Sequence, residues 1–272
     1  MPVRLACWQA AVRREDGERR VERLAEVAER ASRAGADLLV TPELSLTGYH
    51  ASPAELARVA DGATVLAERA AGIAARAGLA LLYGFPERSG AVTYNAVRLV
   101  DRGGALVAAY RKAHLFGPVE RAAFAAGDHG VVQAGLGGLT VGLLVCYDVE
   151  FPELVRAHAL RGTDLLLVPS ALARPWELVA ETLVPARAFE SQLYVAYVNW
   201  AGSDGLDVYC GLTRVAGPDG RVRTSPASGS DLLFADVRRD VLDEARAATP
   251  YLADRRPELY SDLTAEAPHV RS

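Results

Sequence analysis

Cysteine is scarce in this 272-residue chain. Cys7, Cys146 and Cys210 lie far apart with no Cys-x-x-Cys pair, so neither a disulfide framework nor a zinc site follows. The five histidines (His50, His114, His129, His158, His269) show no ligand spacing, and no dinucleotide fingerprint is present; the expectation is an activity without metal or organic cofactor. No apolar run approaches 18 residues, and the N-terminus lacks a charged-then-apolar signal pattern. A spanning helix is thereby excluded, and the expected location is the cytoplasm. Linkers rich in Pro, Gly or Ser and blocks of one charge are also missing. The run Arg13–Arg20 mixes both signs and reads as a solvated helix start. A formal net charge of −4 gives nucleic acid nothing to bind. What is present is a half-apolar composition, enough for one compact soluble domain over residues 1–272.

Strand-type and helix-type periodicities alternate along the chain, which defines an α/β class. Strands are expected at 3–10, 37–41, 79–85, 93–100, 105–111, 130–133, 139–145, 164–168, 193–199, 208–215 and 231–236. Helices are expected at 18–34, 53–59, 64–77, 152–161 and 176–191. Gly217-Pro218-Asp219-Gly220 is a tight turn. One echo is internal. Gly35–Glu43 aligns without gaps to Gly162–Ser170, each segment leaving a helix and ending its strand at a proline. Shared buried-strand vocabulary accounts for this, as does a pseudo-two-fold relation that would put Glu43 and the Ser170 loop on one rim.

Cys146 ends the apolar run Thr140–Val145 and is followed by Tyr147-Asp148-Val149-Glu150-Phe151-Pro152-Glu153. Pro152 suits a first helical turn, so Cys146 sits on a strand-to-helix turn, beside N–H groups that favour a thiolate and an oxyanion. An isolated cysteine in such a run is ordinarily core filler, which is the reading for Cys7. Two other segments change the reading for Cys146. Pro42 ends the strand at 37–41 and leaves Glu43 just beyond it, at the edge where reactive groups of α/β proteins gather. Tyr110-Arg111-Lys112-Ala113-His114-Leu115-Phe116 leaves another strand in the same way and runs on to Glu120. Singly, Glu43 and Lys112 are ordinary loop charges. Together the three residues are a thiol nucleophile, a carboxylate base and a cation for a developing oxyanion. His114 is read as packing its loop. Asp148 and Glu153 are explained by the favourable field of a helix start, and Arg187, Glu190 and Asn199 as structural polar partners.

Pro42-Glu43, Tyr110–Phe116 and Cys146–Glu153, in this order, resemble the nitrilase (carbon–nitrogen hydrolase) superfamily. The resemblance extends from Ala6-Cys7-Trp8-Gln9 through Arg187–Gln192 and Asn199 to the C-terminal arm. It implies a four-layer α-β-β-α sandwich with Glu43 as general base, Lys112 as oxyanion stabiliser and Cys146 as nucleophile. It also implies Glu120 as a second carboxylate that positions Lys112 and the substrate amide. The reaction is then amide hydrolysis through a thioester, with Glu43 moving the protons and the Tyr147 N–H joining Lys112 at the oxyanion. A homodimer or higher homo-oligomer is implied as well, helped by the polar arm at 250–272.

Nitrile-cleaving members commonly carry Cys-Trp-Glu where this chain has Cys146-Tyr147-Asp148, which favours an amidase. Many amidase-like relatives carry Arg at the position of Glu150. The string Cys146–Glu153, with Val208–Gly211, Gly217–Gly220 and Pro250–Arg256, resembles amidases of the 5-aminopentanamidase type. A carboxylate there suits a substrate with a distal cation, and Asp204 and Asp207, around the Gly202–Gly205 loop, would add to an acidic mouth. The opposing reading is that Glu150 only favours the following helix. A 4-guanidinobutanamide satisfies the same charge logic. Two further possibilities are an N-carbamoyl-amine hydrolase and a non-catalytic relative that binds a small molecule.

Overall fold

The computed structural model describes residues 2–49 and 53–265. Its strands form two sheets. The first is ordered β11 (Val208–Cys210), β10 (Trp200–Ser203), β1 (Val3–Ala11), β2 (Leu38–Val40), β3 (Ala80–Ser89), β4 (Val92–Val100), β5 (Leu106–Arg111), with β14 (Asp231–Val237) also on β1. The second is ordered β13 (Val222–Thr224), β12 (Arg214–Ala216), β9 (Tyr194–Val198), β8 (Leu165–Pro169), β7 (Leu139–Leu143), β6 (Val132–Leu136). Successive strand residues face opposite ways, and the burial follows that alternation. Leu5, Cys7, Leu38, Val40 and Leu82 share one core with Val141, Leu143, Leu165 and Leu167 of the second sheet. Ala6, Trp8, Leu39, Leu81 and Tyr83 pack instead with the apolar stripes of α1 (Gly17–Arg33) and α2 (Pro53–Ala77). Helices α4 (Pro152–Leu160) and α5 (Val184–Ser191) supply Val155, Ala159, Val184 and Ala188 to the core of the second sheet. The layers are thus helix, sheet, sheet, helix, as the resemblance implied.

The internal echo is a real structural repeat. β1–β2–β3 run parallel with β4 antiparallel beyond them, and β7–β8–β9 run parallel with β12 antiparallel beyond them. The two aspartates that open the repeated segments do the same work. Asp37 accepts from Arg4 N at 2.8 Å, and Asp164 accepts from Thr140 N at 2.9 Å.

Several expected boundaries differ. The stretch 53–77 is one helix rather than two. Within the helix expected at 176–191, Val179–Leu183 is a π turn, because Pro185 has no N–H to donate to the preceding turn. The strand expected at 208–215 is two strands in different sheets, parted at Gly211 and Leu212, whose φ values are +62° and +56°. Short strand β10 and the helices α3 (Gly117–Ala123) and α6 (Arg239–Ala248) have no counterpart among the expected elements. The chain passes from β9 to β10, and so between sheets, at Asn199. Its side chain takes Leu172 N and donates to the carbonyls of Leu172 and Gly211, the structural role expected of it. Of the arm at 250–272, residues 266–272 lie outside the described residues. Among the described residues, no helix is long and apolar enough to cross a membrane.

Candidate active site

Glu43, Lys112 and Cys146 each follow the C-terminal end of a strand, and the fold brings those three ends together. The Glu43 loop is folded on itself by Thr41 Oγ1 and Ser45 Oγ, 2.7 Å apart, and by Leu46 N to Gly84 O at 3.1 Å. Trp200 Nε1 holds the Glu43 carbonyl at 2.8 Å. Lys112 leaves β5 with its N–H on Asn95 O and its carbonyl on Gly127 N, both at 2.8 Å. Cys146 starts a 3-10 turn over Cys146–Glu150 with φ +45°. A left-handed conformation costs a non-glycine residue about 1–2 kcal/mol, and such strain is characteristic of functional turns. The first bond of that turn is Asp148 N to Val145 O. The N–H of Tyr147 precedes it and is left for another acceptor.

Lys112 is fully buried and lies between two carboxylates. Its Nζ is 2.8 Å from Glu43 Oε1 and 2.7 Å from Glu120 Oε1. Asn95 Nδ2 donates to Glu43 Oε1 at 2.6 Å, whereas Glu43 Oε2 has no hydrogen-bond partner. Glu120 is held by Tyr49 OH at 2.8 Å and by Phe116 N at 2.7 Å. Burial is the main force on each group. It raises Glu43 to about 7, against the pull of Lys112, with Glu120 adding to the rise. It raises the Cys146 thiol well above its ordinary value, helped by Glu43 and opposed by Lys112. It works against the Lys112 ammonium, but Glu43, Cys146 and Glu120 outweigh it and keep that group charged. Burial thus favours the thiol form of Cys146 beside a Glu43 carboxyl group that burial raises to about 7.

Cys146 and Glu120 line a cavity of about 360 Å³ together with Tyr147, Glu150, Phe124 and Trp176. Asp207 reaches this cavity and Asp204 does not. The Asp204 side chain turns into its own loop, accepting from Leu206 N and Asp207 N at 2.9 Å and from Tyr209 OH at 3.1 Å. It adds nothing to an acidic mouth, contrary to expectation. Arg174, beside Glu177 at 3.5 Å, also lines the rim. Asp148 lies in the first turn of the 3-10 helix, as expected, and takes the N–H of Val145 before that turn, but it has further partners that the expectation did not include. Its side chain is fully buried and accepts from Tyr110 OH, His114 N and Val145 N, with His114 Nδ1 2.8 Å away. His114 packs its loop as expected, stacked on Phe151 at 3.8 Å. Arg187 holds the carbonyls of Val149 and Glu150 and is paired with Glu190. Tyr49, Asn95 and Trp200 escaped notice in the sequence. Only Asn95 carried a signal, as a polar residue on the strand face that Val97 and Leu99 bury.

A buried carboxylate–lysine–carboxylate chain beside a cysteine that opens onto a cavity defines a cysteine-dependent amide hydrolase. The chain belongs to the carbon–nitrogen hydrolase family, whose model matches residues 4–247. It is 43% identical, over 96% of its length and 92% of the other, to a Pseudomonas protegens protein described as "Hydrolase in pqqF 5'region". It is 37% identical to an (R)-stereoselective amidase of a Pseudomonas species, over 84% of this chain and 82% of that one. Among solved structures it resembles an amidase from Nesterenkonia sp. AN1, with a TM-score of 0.87 and 38% identity, covering 96% of this chain and 99% of that one. A form of that amidase with the cysteine replaced has been solved with butyramide. Another shows covalent addition of the acetamide moiety of fluoroacetamide at its active site cysteine.

Proposed function

We propose that this enzyme hydrolyses a short aliphatic amide through a thioester on Cys146, and that its preferred substrate is an ω-amino amide such as 5-aminopentanamide. The observation that carries the chemistry is the buried chain Glu43–Lys112–Glu120, electrostatically coupled to Cys146, with Glu120 and Cys146 lining one cavity. Glu43 Oε2 takes the thiol proton as Sγ attacks the carbonyl carbon. The oxyanion is stabilised by Lys112 Nζ and the Tyr147 N–H, groups fixed before the charge develops. Glu43 returns its proton to the leaving nitrogen as the C–N bond breaks and ammonia departs. It then deprotonates a water that cleaves the thioester, releasing carboxylate and restoring the thiol. Glu120 keeps Lys112 oriented throughout, a charge-assisted contact that Tyr49 and the Phe116 N–H support.

The cation preference is supported by Glu150. It lines the cavity, its carboxylate has no hydrogen bond or ion pair among the described residues, and burial pushes its pKa upward. A partly desolvated carboxylate gains about 1.5–3 kcal/mol from a charged hydrogen-bond donor, one to two decades in specificity. Glu150→Gln is expected to lower kcat/KM for 5-aminopentanamide about 10- to 100-fold and leave pentanamide within about threefold. Equal losses on both would assign Glu150 to loop support. The deciding assay is ammonia release from a panel of pentanamide, 5-aminopentanamide, 4-guanidinobutanamide, an N-carbamoyl amine and pentanenitrile. Fastest turnover of the guanidino or carbamoyl compound would make that compound class the substrate, and no release from any would indicate a non-catalytic relative.

A further inference from the structure

Asp148 has no place in the proton transfers above, yet it is fully buried two residues beyond the nucleophile. Both carboxylate oxygens are used, and between them they reach two parts of the site. On one side, Oδ2 accepts from Tyr110 OH at 2.9 Å, while Oδ1 accepts from His114 N at 2.9 Å and lies 2.8 Å from His114 Nδ1. Tyr110 lies near the end of β5 and His114 in the bend two residues beyond Lys112. The two residues gripped by Asp148 therefore bracket Lys112. On the other side, Oδ2 also accepts from Val145 N at 3.1 Å, and Asp148 N donates to Val145 O at 3.1 Å. These bonds close the turn around Cys146 and hold its φ of +45°.

We infer that Asp148 is a positioning residue for amide hydrolysis: one carboxylate, bonded to Tyr110 and His114 and to the Val145 N–H, fixes the Lys112 strand exit against the strained Cys146 turn. This role rests on the proposed functions of Lys112 and Cys146. An ionised carboxylate accepts at both oxygens and donates nothing. It is therefore matched to four converging contacts, whereas an amide in its place presents N–H groups to one set of donors. Unlike a purely structural buried acid, a joint between cation and nucleophile acts on the step in which thiolate and oxyanion form. Its loss should appear in kcat and in thiol reactivity, with substrate binding spared.

The test compares wild type, Asp148→Asn and Tyr110→Phe in the full-length protein for kcat and KM on a linear amide, the rate of Cys146 alkylation by iodoacetamide, and folding by circular dichroism. Asp148→Asn is expected to lower kcat at least 100-fold, hold KM within threefold and slow alkylation at least tenfold. Tyr110→Phe, which deletes one bond away from the reacting atoms, is expected to lower kcat about five- to 20-fold with KM unchanged. A folded Asp148→Asn protein with wild-type kcat and alkylation overturns the assignment, as does a loss confined to KM. If Asp148→Asn does not fold, Tyr110→Phe decides alone, and wild-type kcat in that variant overturns it. Failure of the underlying site reading looks different. Iodoacetamide would then spare Cys146 in the wild type, and Cys146→Ala would still turn over.

Discussion

Glu43 carries two oxygens in unlike surroundings. Oε1 takes Asn95 and Lys112, and Oε2 is buried without a partner. Burial lifts this acid from its ordinary 4.5 to about 7, with consequences of opposite sign for stability and activity. The folded protein holds the Glu43 proton more tightly than the unfolded chain between those values. Its contribution to stability is thus complete below about 4.5 and is lost as the pH rises through about 7. In the proposed role of general base, in contrast, Glu43 works only when unprotonated. kcat/KM should rise with pH through about 7 while the Tm of the wild type falls across the same window relative to Glu43→Gln. An ascending limb centred near 4.5 would show that burial does not raise this base. Burial raises all three thiols, pushing Cys7 up to about 12 and Cys210 up to about 11; what sets Cys146 apart is that it lines the cavity, whereas Cys7 and Cys210 are buried away from it.

At the scale of elements, the base loop owes its shape to a close approach by β3. A Cβ at Gly84 would lie 2.6 Å from Leu44 N and 3.4 Å from the Glu43 carbonyl carbon. Leu44 itself has φ +49°, so the loop has little freedom to retreat. Gly84→Ala should destabilise the protein by about 1–3 kcal/mol through overpacking and lower kcat by displacing Glu43. Urea unfolding and steady-state kinetics check both. Gly135→Ala, on β6 with nothing within 4 Å of the added carbon, is the control and should be neutral or slightly stabilising. Equal, small effects of the two substitutions would show that contact with Gly84 does not shape the base loop.

At the scale of the whole molecule, the pseudo-two-fold repeat places Glu43 after β2 and the Ser170 loop after β8, at equivalent strand ends. Ala171 and Leu172 line the same cavity as Cys146. On the outer helix layer, Phe189 of α5 meets Tyr251 of the arm edge-on at 5.9 Å, both about 40% exposed, while Leu259 and Leu263 of the arm are about 60% exposed. Apolar side chains left on a polar arm fit a self-association surface. Light scattering at micromolar concentration should give at least twice the chain mass of 29.0 kDa, and deletion of Pro250–Ser272 should lower it. A monomer of the intact chain would refute self-association.

Local pattern was sufficient wherever one segment carried its own signal. The strand exits at Glu43, Lys112 and Cys146 are legible because each ends an apolar run at a proline or a polar motif, and the family resemblance follows from those motifs in order. The alternation of strands and helices defines the α/β class, since periodicity is set by residues a few positions apart. It does not reveal two facing sheets, because residues 199 and 211–213, where the chain changes sheet, differ from their neighbours only in partners brought from elsewhere. Asp148 is the clearest case. In the sequence it is a carboxylate in a helix start, indistinguishable from Glu153. In the folded protein it is a buried acceptor whose donors lie up to 38 residues away. The roles of Asn95, Tyr49 and Trp200 around Glu43 and Glu120 were likewise decided only by tertiary structure, because a hydrogen bond depends on distance and burial, and neither is a property of a residue taken alone.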